Sequence, residues 1–278
     1  MINRYSKKIL RFVFTSLLAA NFWVTNCSAT QFSPALEDPP NFIELQNNSQ
    51  NQMAVLSISG KISKSLYEKI KLNIEKLDNQ NIQPGRLIVL IDSMGGDAEA
   101  ALKIGRLLRK NNAFIFVTNR CASACVYIYT AGVYRSSIPN SIGIHATKIT
   151  LNDKNSRVAV ELNPELNAVA KKKLMDFDNG SQGFLDEMNI NPSFHEKLRS
   201  LSTDKLYWLT ANEIKKFGLD GFDSFFIERE FSSLKEAFNK TLSQATFNEK
   251  INNTLKQCLY VKNVPHEFAE CYKKNLRD

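Results

Sequence analysis

Two rhythms of apolar and polar positions run along this chain. Leu56 and Ile58 alternate with Ser57 and Ser59, the period of a strand with one face turned inward. Leu66, Ile70, Leu72, Ile74 and Leu77 instead fit a helix between about Ser65 and Asp78. Pro84-Gly85 breaks the chain, and Leu87 to Ile91 is an unbroken apolar run, as a strand covered on both faces requires. A helix opens at Asp97, with Ala98, Ala101, Leu102, Gly105 and Leu108 on one side and Arg106, Arg109 and Lys110 toward its end, an arrangement that suits the helix dipole. Ala113 to Thr118 is a further strand, a short helix begins near Ser123, and Ile142 to His145 is a short strand after Pro139-Asn140. Strands alternating with helices in this way predict an α/β fold with a parallel sheet.

The later chain is more helical. Residues 150–162 have strand character, and Glu165 to Met188 is largely helical. Asn191-Pro192 opens another helix, and Thr210 and Gly218 bracket a short one. From Arg229 onward the pattern is helical throughout. The chain shows no internal repeat.

The N-terminus stands apart. Arg4, Lys7, Lys8 and Arg11 precede the apolar run Phe12 to Val24, and Cys27-Ser28-Ala29 supplies small residues at a cleavage point. That is the layout of a secretory signal peptide. The run is about 13 residues, short for a bilayer span. An uncleaved anchor is the rival reading, and a lipid-modified Cys27 is disfavoured by Asn26 before it. The expected organisation is a signal peptide over 1–29, a flexible lead-in over 30–52, an α/β domain over 53–228 and a helical C-terminal extension over 229–278. The expected location is periplasmic or secreted.

Export changes the reading of charge and cysteine. The full chain carries +8. The first 29 residues hold four basic and no acidic side chains, so the remainder is a mild +4. Lys171-Lys172-Lys173 reads as a solvated helix face, and no basic stripe interleaved with aromatics argues for nucleic acid. Four cysteines remain past the signal: Cys121, Cys125, Cys258 and Cys271. An even number in an exported chain suggests two bridges. Sequence leaves three pairings open; proximity favours Cys121–Cys125 and Cys258–Cys271. On one helix, four-residue spacing would put the Cα atoms ~6 Å apart, within bridging range. Cys121 and Cys125 lack the second close pair of a zinc site, and His145, His195 and His266 are scattered, so neither metal nor cofactor is expected. His195 reads as a helix-surface residue near Glu196.

Ligands of a parallel sheet gather beyond the carboxyl ends of its strands. Three segments end strands there: Asp92-Ser93-Met94-Gly95-Gly96, Asn119 to Cys125, and Ile144-His145. The paired glycines offer backbone N–H groups at a helix start, suited to a developing oxyanion. A tight turn needs the same residues. Ser123 is a nucleophile once a base takes its proton, or simply a helix cap. An ordinary imidazole exchanges its proton near neutrality, so His145 can be that base, or simply a packed strand-end residue. A bridge between Cys121 and Cys125 would silence both thiols and leave the serine as the nucleophile.

The order of these segments carries a resemblance. Ile91-Asp92-Ser93-Met94-Gly95-Gly96, Cys121-Ala122-Ser123-Ala124, and Ile138-Pro139-Asn140-Ser141-Ile142-Gly143-Ile144-His145 resemble motifs of the Clp protease proteolytic subunit and the wider Clp/crotonase superfamily. Ser59-Gly60-Lys61-Ile62 and Leu209-Thr210-Ala211-Asn212-Glu213, with Phe217-Gly218-Leu219, extend it over residues 53–225. The likeness is greatest to exported members with a Cys-Ala-Ser-Ala-Cys segment. It implies a spiral of β-β-α units around a parallel sheet and a serine peptidase. In that peptidase Ser123 is the nucleophile, His145 the base, and Gly96 and Ala124 the oxyanion donors. The family's acid position falls on Leu206 here, so Asp204, two residues earlier, is the candidate third member after a loop shift. The resemblance further implies a peptide or protein substrate and is compatible with a homo-oligomer. The segment that builds ring contacts in the family matches poorly, so its double-ring chamber does not carry over. No ATPase partner is expected outside the cytoplasm. Two other readings stay open: a non-catalytic binding or assembly module on the same fold, and a serine–lysine peptidase using Lys148. Strand alternation would turn Lys148 away from His145. Acyl-CoA chemistry, the crotonase alternative, needs a cytoplasmic cofactor.

Overall fold

In this computed structural model the described residues are 42–48, 53–78, 87–151, 160–162, 167–237, 243–261 and 264–277. Residues 1–29, the segment expected to be a signal peptide, lie outside them. Its centre is a sheet whose strands run β1 (Phe42–Asn48), β2 (Met53–Ser59), β3 (Leu87–Ser93), β4 (Phe114–Ala122), β5 (Tyr134–Ser136) and β10 (Gly221–Phe222) in spatial order. β2, β3, β4 and β5 are mutually parallel, while β1 and β10 close the two sides antiparallel. A further pair, β6 (Ile142–Ile144) and β9 (Tyr207–Trp208), attaches to the far end of β4. β7 (Ile149–Leu151) and β8 (Val160–Leu162) form a separate antiparallel hairpin. The architecture is mixed α/β on a mostly parallel sheet, as expected.

Phe42–Asn48 lies inside the segment read as a lead-in, yet it is strand β1. Ile43 and Leu45 alternate with Glu44 and Gln46, but a surrounding run of Asn and Gln masks so short a signal.

The run Leu87 to Ile91 is covered on both faces. Leu87, Val89 and Ile91 join one cluster with Ile115 and Val117 of β4. The helices α1 (Lys64–Asp78), α2 (Ala98–Lys110), α3 (Cys125–Thr130) and α4 (Ala168–Glu187) contribute to that cluster, and so do α5 (Ser193–Arg199) and α6 (Ala211–Lys216). Ile88, Phe114, Phe116 and Tyr134 point the other way. They meet Phe226 of α7 (Ser224–Ala237), Phe247 and Ile251 of α8 (Gln244–Cys258), and Phe268 and Tyr272 of α9 (Pro265–Arg277). Tyr134 stacks on the Phe268 ring at 4.5 Å. The C-terminal helices therefore form the third layer of an α/β/α arrangement, and the Cys258–Cys271 bridge ties α8 to α9.

Local signals place the helix ends. Asp97 caps α2 by accepting from Ala100 N. Thr210 and Glu213 form a capping box on α6. Asp223 accepts from Phe226 N at the start of α7, from Asn189 Nδ2 and from the Arg109 guanidinium, joining α2, α4's end and α7 in one buried cluster. His195 is buried rather than on the surface. Its imidazole faces Asp178 of α4 at 3.1 Å, because α5 packs its His195 side onto α4.

Candidate active site

β4 decides where the chemistry sits. Its first half pairs with β5, and its last two residues switch to β6 in the register Cys121↔Ile142 and Ala122↔Gly143. In a parallel pair this register sends both chains out of the sheet side by side. Ser123 follows Ala122, and His145 lies two residues past Gly143. Cys121 N donates to Ser141 O and Ser123 N to Gly143 O, so the ladder runs up to the serine itself.

Ser123 does not cap a helix. It has φ +55°, a left-handed conformation that costs a non-glycine residue roughly 1–2 kcal/mol. The sharp turn between β4 and α3 lifts its hydroxyl out of the sheet. His145 Nε2 lies 2.7 Å from Ser123 Oγ, and His145 Nδ1 lies 2.6 Å from the carbonyl oxygen of Ala146. A carbonyl oxygen only accepts, so Nδ1 carries the proton and Nε2 is left to accept from the serine hydroxyl. This is the tautomer a general base needs.

The third partner of the constellation is therefore a backbone oxygen. Ala146 is fixed in turn by its own N–H, which donates to Ser202 O at 3.2 Å. The structure does not bring Asp204 to the imidazole. Its carboxylate is exposed and accepts from the Thr203 hydroxyl, while its backbone N–H donates to Ser202 Oγ. The Ser202 region does reach the histidine segment, but it does so through main chain. No residue-type signal in the sequence announces a carbonyl acceptor.

Gly95 and Gly96 have φ +104° and +142°. A Cβ on Gly95 would lie 2.8 Å from Ser123 Cβ and 3.1 Å from Ala124 N, so this loop abuts the serine turn. A Cβ on Gly96 would lie 2.3 Å from Ile62 O. Gly95 N–H donates to Ser93 Oγ, and Gly95 O accepts from Ile62 N. Among the described residues no acceptor takes the N–H of Gly96 or of Ala124. Gly96, Ser123 and Ala124 line one cleft, so both amides belong to the surroundings of the serine.

A cleft of ≈170 Å³ opens over the pair, walled by Tyr127, Ile144, Phe177 and Leu198. Phe177 and Leu198 come from α4 and α5, which sequence reasoning did not connect with the site. Burial raises the Tyr127 hydroxyl pKa, and its hydrogen bonds to Ser181 and Thr147 oppose that. Lys148 lines the same cleft. Strand alternation does not govern it, because β6 stops at Ile144. A neighbouring cleft of ≈240 Å³ shares Gly96 and is bordered by Lys61, Asp92 and Met94.

Cys121 and Cys125 are bridged, with Cα atoms 5.2 Å apart. They are not on one helix: Cys121 belongs to β4 and Cys125 begins α3, so the bridge straddles Ser123. Among the described residues no group of His, Cys, Asp and Glu is arranged to hold a metal ion.

No protein-family model and no curated protein matches the chain. Among solved structures it is similar to a variant of ClpP1 from Listeria monocytogenes, at 23% identity and a TM-score of 0.46 over 60% of this chain and 88% of that one. It is also similar to a variant of the 1510-N membrane-bound stomatin-specific protease, at 19% identity and a TM-score of 0.41 over 61% of this chain and 79% of that one. At these values the likeness carries nothing about chemistry, which rests on the geometry of Ser123 and His145.

Proposed function

We propose that this chain is an exported serine hydrolase that cleaves peptide or protein substrates. Ser123 Oγ attacks the carbonyl carbon while His145 Nε2 takes its proton. The N–H groups of Gly96 and Ala124 receive the oxyanion, and His145 then returns the proton to the leaving amine. Water repeats the sequence on the acyl-enzyme. The observation that carries this reading is the 2.7 Å contact between Ser123 Oγ and a histidine whose other nitrogen is committed as a donor. The bridges Cys121–Cys125 and Cys258–Cys271 support an oxidising compartment. Among the described residues no helix is long and apolar enough to cross a membrane.

The test is covalent labelling of the oxidised, folded chain with a fluorophosphonate. Label is expected on Ser123, and none on Ser123→Ala. Absence of label on well-folded protein would overturn the hydrolase reading. A non-catalytic binding or assembly module is then the surviving alternative, with biological activity indifferent to Ser123→Ala. One observation favours it: among the described residues His145 Nδ1 meets a backbone oxygen, Ala146 O, and no carboxylate.

A further inference from the structure

Ser123 sits in a conformation that serine avoids, and two cysteines flank it symmetrically, each two residues away. We infer that the Cys121–Cys125 bridge is a positioning device. It holds the turn that keeps Ser123 left-handed and its hydroxyl on His145. The catalytic part of this inference rests on the hydrolase reading above; the conformational part does not.

The bridge joins the last-but-one residue of β4 to the first residue of α3. Between them lie only Ala122, Ser123 and Ala124. Cys121 is pinned to the sheet on both sides, opposite Ser93 on β3 and Ile142 on β6. Cys125 is pinned through α3, whose six residues are all buried. With both ends fixed and joined, the three intervening residues have little freedom to relax into an extended strand-to-helix turn. Ala122 and Ala124 are small and buried, so neither side chain wedges the turn into shape. Beside the bridge, the turn is held by hydrogen bonds from Ser123 N to Gly143 O, from Val126 N to Ser123 O and from Tyr127 N to Ala124 O, and by the Ser123 Oγ contact with His145.

Two features separate this role from that of a general staple. Its four-residue separation closes a much shorter loop than the thirteen of Cys258–Cys271. In the loop-entropy account it therefore does less for global stability. Both sulfur-bearing residues are fully buried, so a reductant has no access to them in the folded chain. The bridge therefore acts as a fixed brace rather than a switch.

The experiment compares Cys121→Ala/Cys125→Ala with Cys258→Ala/Cys271→Ala and wild type, each below its melting temperature. For the first variant, the maximal rate of fluorophosphonate labelling at Ser123 should fall ~100-fold, the scale of a misplaced reacting group, with reagent affinity little changed. The second variant should melt earlier yet label at the wild-type maximal rate. Equal maximal rates for the first variant and wild type would overturn the inference. A second measurement is independent of activity. Ser123→Gly removes the cost of the left-handed conformation. Without the bridge a serine turn relaxes and recovers that cost, while a glycine turn has none to recover. Removing the Cys121–Cys125 bridge should therefore lower the melting temperature more in the Ser123→Gly background than in wild type. Equal losses in the two backgrounds, a smaller loss in the Ser123→Gly background, or a Cys121→Ala/Cys125→Ala protein that fails to fold refute the brace. If wild type takes no label, the hydrolase reading fails and this stability cycle still decides whether the bridge holds the turn.

Discussion

Gly95→Ala tests how the Gly95-Gly96 loop is fitted to the Ser123 turn. The new Cβ would sit 2.8 Å from both Ala122 O and Ser123 Cβ, and 3.1 Å from Ala124 N. None of these is the free end of a flexible side chain, so the loop or the serine turn must move. Residue 95 also keeps φ +104°, where an alanine is strained. Strain of this kind costs ~1–3 kcal/mol, and overpacking in a tight site adds ~1–3 kcal/mol. A combined loss of about 3 kcal/mol is expected, at the low side of the two ranges together because the loop is partly open to the cleft. For a chain of this size that corresponds to roughly 6–12 °C in melting temperature. The shift also carries Gly96 N–H away from the serine. With that N–H in its proposed oxyanion role, its loss is expected to lower the labelling rate by about 100-fold or more. The assays are thermal unfolding by circular dichroism and the fluorophosphonate labelling rate of the folded protein. Gly96→Ala should be worse in stability, since its Cβ meets a backbone oxygen at 2.3 Å. A Gly95→Ala protein that melts within about 2 °C of wild type and labels at the same rate would refute the close fit of loop and turn.

Other changes bear on different parts of the structure. Asp204→Ala should leave labelling within about threefold of wild type, because His145 Nδ1 is held by Ala146 O; a fall of ~10⁴, the scale for loss of an orienting acid, would show that Asp204 closes onto the imidazole in solution. Asp223→Ala should cost ~3–5 kcal/mol in urea unfolding, since it leaves the Arg109 charge without its buried partner and removes the α7 cap; a loss below about 1 kcal/mol would mean the pair is effectively solvated. Gly180→Ala and Gly183→Ala in α4 meet nothing within 4 Å and should each raise stability by ~0.5–1 kcal/mol in the same measurement; destabilisation would place another surface against that face of α4.

Much of this was legible because it is local. Alternation at Leu56 and Ile58, the unbroken run Leu87 to Ile91, Asp97 before its helix and the Thr210–Glu213 pair depend on neighbours a few residues away. The physics that reads them is side-chain direction and end-group hydrogen bonding. The sequence itself thus determined a parallel α/β sheet and the ends of three strands where chemistry would gather. It also put a serine, a histidine and a glycine pair on those ends.

Tertiary structure decided the rest, because those outcomes depend on register and on which surfaces meet. The Ala122↔Gly143 pairing brings Ser123 to His145, and no pattern within either segment encodes that alignment. The partner of His145 Nδ1 is a main-chain oxygen, a group every residue carries and no residue type signals. Apolar residues on the second face of β3 and β4 demanded a cover without naming it, and only the folded chain shows α7, α8 and α9 supplying it. The spacing of Cys121 and Cys125 allowed a bridge. That the bridge braces the serine turn follows from a strand ending and a helix beginning between them, which spacing alone does not specify.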